Sequence, residues 1–311
     1  MSNSMKHPAV SIIICTYMRA SLLQRTLLSL ENVLDIEQAE VIVVDNHSLD
    51  DTAIVTQTCM EQLKHKVHIR YLFEPKQGLS VARNKGIERS KAPIVAFLDD
   101  DAIPCMNWIS TIRQAFAANN KIGAIGGIIQ PEFEHERPDW LIKQLEHPYT
   151  IVHLGEQERS YPRRLAPFGA NMAIRRDAIG KLRFPEALGR KGASLLSGEE
   201  TWFFNRLRKD GWQLRYIPGM TVRHFISAER LQPEWIRKRY YYQGVSLAKE
   251  GKGVLSMIRI VTKLGMRKVY NSIYMRFAKT PGERMLSVCR NESLRGAFGV
   301  IRGKGVEATY D

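Results

Sequence analysis

Three consecutive aspartates, Asp99, Asp100 and Asp101, directly follow the apolar run at residues 94–98. A short apolar run of this kind predicts a buried strand, so we expect the three carboxylates at its C-terminal end. An isolated triplet is more often a solvated loop or an acid-rich helix start. Hard divalent cations such as Mg²⁺, however, favour carboxylate oxygens and often bind substrate phosphates at the same time. The triplet therefore suggests a cation site for a phosphorylated ligand.

A second acidic group, Glu199 and Glu200, stands at the start of a predicted helix. A positioned carboxylate can remove a proton from a hydroxyl group during a transfer reaction. The same two residues could instead complement the helix macrodipole. His224 follows a short strand-like segment and could be a hydrogen-bonded histidine at a strand end.

The elements that must position these residues alternate along the first half of the chain. Strand patterns lie at residues 10–15, 40–45, 67–73 and 94–98, and helix patterns lie at residues 21–30, 51–63 and 79–90. Such alternation, with nearly continuous apolar strands, predicts a mainly parallel sheet with helices on both faces. Ligands of these sheets bind beyond the carboxyl ends of the strands. Thr16, Asp45 and Asp99 all lie at such ends.

Length and composition favour an ordinary globular protein. The 311 residues suffice for a large domain at residues 1–225 and a smaller region at residues 226–311. The four cysteines are scattered without CxxC spacing, which predicts neither a disulfide framework nor a zinc site. The first ten residues are polar, and no apolar run reaches the ~18–20 residues of a membrane-spanning helix. We therefore expect a cytoplasmic protein.

Positive charge is concentrated near the C-terminus. Residues 225–311 hold 17 Lys and Arg against 7 Asp and Glu, whereas residues 1–224 hold 29 against 25. Arg259, Lys263 and Arg267 recur at four-residue spacing, and apolar residues fall near the opposite or flanking faces: Leu255, Ile258, Val261 and Leu264. This pattern predicts a basic helical extension. Either the helix lies on an anionic membrane surface, at the inner face of the plasma membrane, or it packs on the first domain with its basic face in water.

Four further runs accompany the aspartate triplet in a specific order, at residues 11–19, 43–52, 77–87 and 196–207. In order and spacing they resemble the family 2 glycosyltransferases over roughly residues 8–225, and residues 168–176 look like the family's strand before the catalytic base. The resemblance implies a GT-A fold, which is a Rossmann-like mixed sheet with helices on both faces. The chain departs from the family pattern at Cys15, Met18 and Glu200, where proline, asparagine and aspartate are usual.

The resemblance also implies roles for individual residues. It makes Glu200 the general base and Glu199 an orienting residue, and it makes Asp101 and His224 ligands of Mg²⁺ or Mn²⁺. It implies donor binding by a further set: Thr16, Tyr17, Arg19, Asp45, Arg83, Asp99 and Asp100. The implied reaction moves a sugar from a nucleotide-sugar donor, expected to be a UDP-sugar, to a hydroxyl of a glycan or lipid-linked acceptor in cell-envelope or exopolysaccharide synthesis.

Three alternatives compete with this interpretation. A nucleotidyltransferase acting on sugar phosphates usually has a glycine-rich loop after the first strand, but residues 16–21 contain no glycine. A catalytically inactive, membrane-associated scaffold would not need the intact carboxylates. Nucleic-acid binding could use Tyr240, Tyr241 and Tyr242 among basic residues, but no nucleic-acid fold motif accompanies them, so no nucleic-acid partner is expected.

Overall fold

The computed structural model describes residues 8–192, 195–249 and 254–302, with the backbone alone for residues 254–260. The strands are β1 Val10–Thr16, β2 Ala39–Asp45, β3 His68–Phe73, β4 Ile94–Leu98, β5 Ala102–Pro104, β6 Ile122–Gly126, β7 Ile129–Phe133, β8 Arg159–Ser160, β9 Asn171–Arg175, β10 Gln213–Tyr216 and β11 Val222–Ile226. The helices are α1 Ala20–Ser29, α2 Thr52–Leu63, α3 Leu79–Arg89, α4 Trp108–Ala118, α5 Arg176–Ile179, α6 Glu199–Lys209, α7 Pro233–Lys249, α8 Val254–Phe277 and α9 Pro281–Ile301.

Two compact units make up the described chain. The first contains Met1–Glu132, Thr150–Ala187 and Glu199–Phe225, and the second contains Phe133–Tyr149, Leu188–Gly198 and Ile226–Asp311. Most of the polar N-terminal segment lies outside the described residues, and so do the side chains of Leu255, Ile258 and Arg259.

The first unit is built on an eight-stranded sheet with the order β3-β2-β1-β4-β9-β6-β10-β8. Strands β1 to β4 are parallel to one another, whereas β9 runs antiparallel between β4 and β6. The predicted mixed sheet with helices is confirmed. In the β1–β2 register Thr16 lies opposite Asp45, so these two predicted site residues share one edge of the sheet.

Helix α3 packs closely against the central strand β1 of the sheet. Ile12, Ile13 and Ile14 on β1 have no exposed surface, as expected for a central strand covered on both faces. A Cβ atom added to Gly86 on α3 would lie 2.5 Å from Ile13 Cγ2, so only glycine allows this approach. Arg83 lies one turn earlier on the same face of α3 and is carried into the buried layer.

A second, smaller sheet has the order β5-β11-β7. Strand β11 pairs antiparallel with β5, and this register sets His224 opposite Ala102. The Phe225 backbone N–H donates to the Asp101 carbonyl oxygen at 2.8 Å. Strand pairing thus brings residue 224 next to the aspartate triplet, although more than a hundred residues separate them in the chain.

The second unit is helical. Helices α7 and α9 pack closely at two glycines, since a Cβ atom on Gly244 would lie 1.8 Å from the Ser293 carbonyl oxygen and one on Gly296 would lie 2.1 Å from that of Tyr241. Helix α9 starts with a capping box formed by Thr280 and Glu283. Within the described part of the chain, no helix has both the length and the apolar character needed to cross a membrane.

Candidate active site

Asp99, Asp101 and His224 form a cluster beyond the end of β4, which we call the triad. One donor atom from each residue can be chosen so that all three lie within 4.8 Å of one another. The Asp101 Oδ1 and His224 Nε2 atoms are 3.0 Å apart, and both side chains are buried. Two carboxylates with an imidazole nitrogen form a donor set for a divalent cation. The Nδ1 atom of His224 is buried without a hydrogen-bond partner in the described structure. The residues present therefore fit such an ion.

Asp100, the middle member of the triplet, belongs to a different set of contacts. Its Oδ2 atom accepts a hydrogen bond from the Thr16 hydroxyl at 2.8 Å, and its Oδ1 atom accepts one from Arg19 Nη1 at 2.8 Å. Arg19 Nη1 also donates to Asp101 Oδ2 at 2.8 Å. Burial raises the pKa of Asp100 to about 6, against the lowering effect of Arg19 and with a further rise from Asp101. Because Arg19 contacts both Asp100 and Asp101, it links Asp100 to the triad.

The two glutamates at the start of α6 are held by an arginine from α3. Arg83 donates from Nη1 to Glu199 Oε1 at 3.0 Å and from Nη2 to Glu200 Oε1 at 2.9 Å. Its side chain is 4% exposed, and its guanidinium lies 5.3 Å from the centre of the Phe184 ring. The Glu199 Oε2 atom is buried without a hydrogen-bond partner among the described residues, so it can accept a hydrogen bond from a ligand.

Gly169, in the loop before β9, completes this group. Its backbone N–H donates to Glu200 Oε1 at 2.8 Å. A Cβ atom at this position would lie 2.0 Å from Arg83 Nη2 and 2.9 Å from Glu200 Oε1. Only glycine therefore allows both contacts. We call Glu199, Glu200, Arg83 and Gly169 the glutamate group.

The electrostatics of the glutamate group prepare one carboxylate to take a proton. Burial raises the pKa of Glu200 to about 7, although Arg83 lowers it, and the charges of Glu199 and Asp99 raise it further. A base whose pKa lies near the working pH combines availability with proton affinity. The charge of Asp99 raises the pKa of both Glu200 and Arg83, so the triad lies within electrostatic range of the glutamate group.

Asp45 and Tyr17 stand apart from both groups in the described hydrogen-bond pattern. Asp45 is buried and accepts hydrogen bonds from the Ser48 backbone N–H at 2.9 Å and from the Tyr71 hydroxyl at 2.7 Å. Tyr17 follows β1 and is 38% exposed. The neighbouring Asn46 side chain accepts from the Gly78 N–H at 2.7 Å and thereby fixes the loop that leads into α3.

The structure thus brings most of the predicted site residues together in two adjoining groups. Thr16, Arg19 and Asp100 connect to the triad, and Arg83 connects to both glutamates rather than standing alone. Sequence reasoning missed Gly169 and Tyr71. A glycine just before a strand signals close backbone approach and could have drawn attention to Gly169. The contact of Tyr71 with Asp45 depends on strand pairing and leaves no local signal.

The model of the family described as "Glycosyl transferase family 2" matches residues 11–183, which is more than half of the chain. The chain is 29% identical over 251 residues to the succinoglycan biosynthesis protein ExoM of Rhizobium meliloti, covering 78% of this chain and 75% of that protein. It is 24% identical over 257 residues to the glucosyl-dolichyl phosphate glucuronosyltransferase of Haloferax volcanii, covering 76% and 75%.

A solved structure shares the fold. The mannosyltransferase PcManGT from Pyrobaculum calidifontis, in complex with GDP-Man and Mn²⁺, aligns with a TM-score of 0.67 and 16% identity, covering 97% of this chain and 89% of that one. The match of the family model includes the segments that carry Thr16, Arg83 and the aspartate triplet. On this evidence the chain belongs to glycosyl transferase family 2 and is a glycosyltransferase.

Proposed function

We propose that this glycosyltransferase moves a sugar, with inversion at the anomeric carbon, from a nucleotide-sugar donor to a hydroxyl of a glycan or lipid-linked acceptor. One observation carries the proposal: Glu200, with a raised pKa, is held between Arg83 and the Gly169 N–H beside three residues that fit a divalent cation. Glu200 would accept the proton of the acceptor hydroxyl, and a cation held by the three residues would stabilise negative charge on the leaving diphosphate. The reaction requires both.

Glu200 is the proposed base. The acceptor oxygen forms a bond to the anomeric carbon while the bond from that carbon to the diphosphate oxygen breaks. The hydroxyl proton passes to Glu200, and the bonding electron pair stays on the departing nucleoside diphosphate. Because Arg83 and Gly169 both hold Oε1, the proposed proton acceptor is Oε2. Glu199, with its buried Oε2, is proposed to orient a substrate hydroxyl.

The triad is the proposed place for Mg²⁺ or Mn²⁺, held by Asp99, Asp101 and His224. A bound cation would stabilise the charge that develops on the leaving diphosphate. Arg19, which is half-buried and pairs with both Asp100 and Asp101, holds the Asp101 carboxylate of the triad in place. Donor binding by Thr16, Tyr17, Asp45, Arg83, Asp99 and Asp100, with uridine as the expected base, is part of the proposal.

The relatives support the proposed class of acceptor and pathway. One is named for succinoglycan biosynthesis, and another for transfer to glucosyl-dolichyl phosphate, which is a lipid-linked sugar. We therefore propose a role in exopolysaccharide or cell-envelope glycan synthesis at the inner face of the plasma membrane. Membership of the family weighs against the nucleotidyltransferase alternative.

A donor screen tests this function. Purified protein is mixed with UDP-, GDP- and dTDP-sugars in the presence of Mn²⁺, Mg²⁺ or EDTA, and both the melting temperature and the release of nucleoside diphosphate are measured. We expect one donor class to raise the melting temperature when a cation is present and to release its diphosphate. Glu200→Gln is the matched control, which should show the stabilisation without the release. Stabilisation by no donor, or donor turnover that EDTA leaves unchanged, would contradict the proposal.

A further inference from the structure

Helix α8 exposes an apolar stripe to solvent. Met266, Val269, Tyr270, Ile273 and Phe277 are each between 55% and 72% exposed. Their spacings of three, one, three and four residues place them on one side of a helix. We call these five residues the α8 stripe. Contiguous apolar surface of this kind on a folded protein marks an interaction site more often than isolated exposed residues do.

The other side of α8 is fixed by packing within the second unit. Leu264 and Asn271 are each 1% exposed. The Asn271 amide donates to the Ser287 carbonyl oxygen at 2.9 Å and to Asn291 Oδ1 at 2.8 Å, both on α9. A buried, hydrogen-bonded asparagine fixes the rotation of a helix about its axis. Four residues of the α8 stripe therefore lie on the side away from α9, and Tyr270, at the edge of the stripe, has the Arg290 guanidinium of α9 5.5 Å from the centre of its ring. Leu264, which the sequence pattern grouped with the apolar residues, packs inward.

Basic side chains accompany the α8 stripe along the helix. Lys263, Arg267, Lys268 and Arg276 are all exposed. The sequence has no aspartate or glutamate between residues 251 and 282. An apolar face with basic residues beside it is typical of helices that lie in the headgroup region of an anionic bilayer. There the apolar side chains reach the acyl boundary, and the lysines and arginines contact lipid phosphates.

We propose that the α8 stripe inserts into the surface of an anionic lipid bilayer and holds the protein there. The charge pattern favours lipid over a second copy of the chain as the occupant. Two α8 helices meeting face to face would bring basic residues together without acidic ones to balance them, which disfavours self-association. The inference does not rest on the proposed donor, acceptor or base.

Vesicle co-sedimentation of the full chain tests the proposal. We expect binding to phosphatidylcholine vesicles that contain phosphatidylglycerol, weakening as salt rises, and at least about tenfold weaker binding to pure phosphatidylcholine. The double variant Val269→Gln with Ile273→Gln should weaken binding to the anionic vesicles by about tenfold, since it removes two aliphatic side chains from the stripe. Lys263→Gln with Arg267→Gln should produce a loss of similar size through charge.

A matched control keeps the result interpretable. Leu34→Gln with Ile54→Gln replaces two aliphatic side chains of the first unit that are 49% and 67% exposed, and it should bind vesicles like the unchanged protein. Thermal melting of each variant checks that it is folded. Wild-type binding by the stripe variant, or failure of the unchanged protein to bind anionic vesicles, would overturn the proposal. So would a lipid-free dimer that the stripe variant converts to a monomer. Because donor turnover is measured separately, these outcomes bear on the proposed location at the membrane and not on the proposed transfer reaction.

Discussion

The triad, taken with its neighbour Asp100, and the glutamate group are two acidic clusters of the candidate active site, and they balance their charge differently. Beyond β4 stand three consecutive aspartates and one arginine, Arg19, which pairs with Asp100 and Asp101. At the start of α6, two glutamates face one arginine, Arg83, which contacts both. The first cluster thus has a larger excess of negative charge over its arginine than the second.

This difference separates two kinds of chemistry. The excess charge and the converging donor atoms of the triad suit a divalent cation, which brings charge from outside the protein. The glutamate group needs no metal, because Arg83, a residue of the protein itself, neutralises part of its negative charge. Its remaining charge, together with burial, raises the pKa of Glu200 toward neutrality. We therefore expect substitutions in the two clusters to impair different steps, cation-dependent donor binding in one and proton transfer in the other.

The largest effect is expected from Glu200→Gln, which keeps the shape of the side chain but removes the proposed base. Turnover should fall by about 10³-fold, within the range that general-base catalysis contributes. Nucleotide binding should persist, because the triad is unchanged. Steady-state kinetics together with a nucleotide titration checks both statements. A variant that kept most of its turnover would remove Glu200 from the role of base.

Gly169→Ala should produce the next largest effect. Its Cβ atom would displace the Arg83 guanidinium, and with it the Glu200 carboxylate. A misplacement of about 1 Å at a reacting group can cost about 10²-fold in rate, so we expect a loss of that order in kcat with a smaller change in KM. Gly219→Ala is the matched control in the same unit, because its Cβ atom would meet nothing closer than 3.5 Å. Equal rates for the two variants would show that Gly169 does not position the base.

A smaller effect is expected from pH. Glu200 must be deprotonated to accept a proton, and burial raises its pKa to about 7. With saturating cation, kcat should therefore rise as the pH rises through 7 and fall by about tenfold for each pH unit well below it. The pH–rate profile measures this directly. A profile whose inflection lay near 4.5, the ordinary pKa of glutamate, would mean that the glutamate group does not tune its base.

Local sequence patterns predicted much of the fold but little of the contacts between its parts. Strands β1, β2 and β4 were predictable because their apolar runs are continuous, and the aspartates that follow β4 were therefore placed at its end. The pairing of β11 with β5, which brings His224 to Asp101, joins segments far apart in the chain. The contacts of Arg83 with Glu199 and Glu200 span more than a hundred residues as well. The periodicity of apolar residues does not encode such contacts. The sequence therefore led to a donor-binding role for Arg83 and to no role for Gly169.

The central claim is that the triad binds the cation and Glu200 accepts the proton. Calorimetric titration of a nucleoside diphosphate into Asp101→Asn and into Glu200→Gln, once in the presence of Mn²⁺ and once in the presence of EDTA, tests this claim. Each variant neutralises one carboxylate, and each change lies in a different cluster. We expect Asp101→Asn to weaken Mn²⁺-dependent binding by at least about tenfold, as for loss of a proposed ligand residue, and Glu200→Gln to leave this binding unchanged. Full Mn²⁺-dependent affinity in Asp101→Asn, or its loss in Glu200→Gln alone, would contradict the assignment of cation binding to the triad.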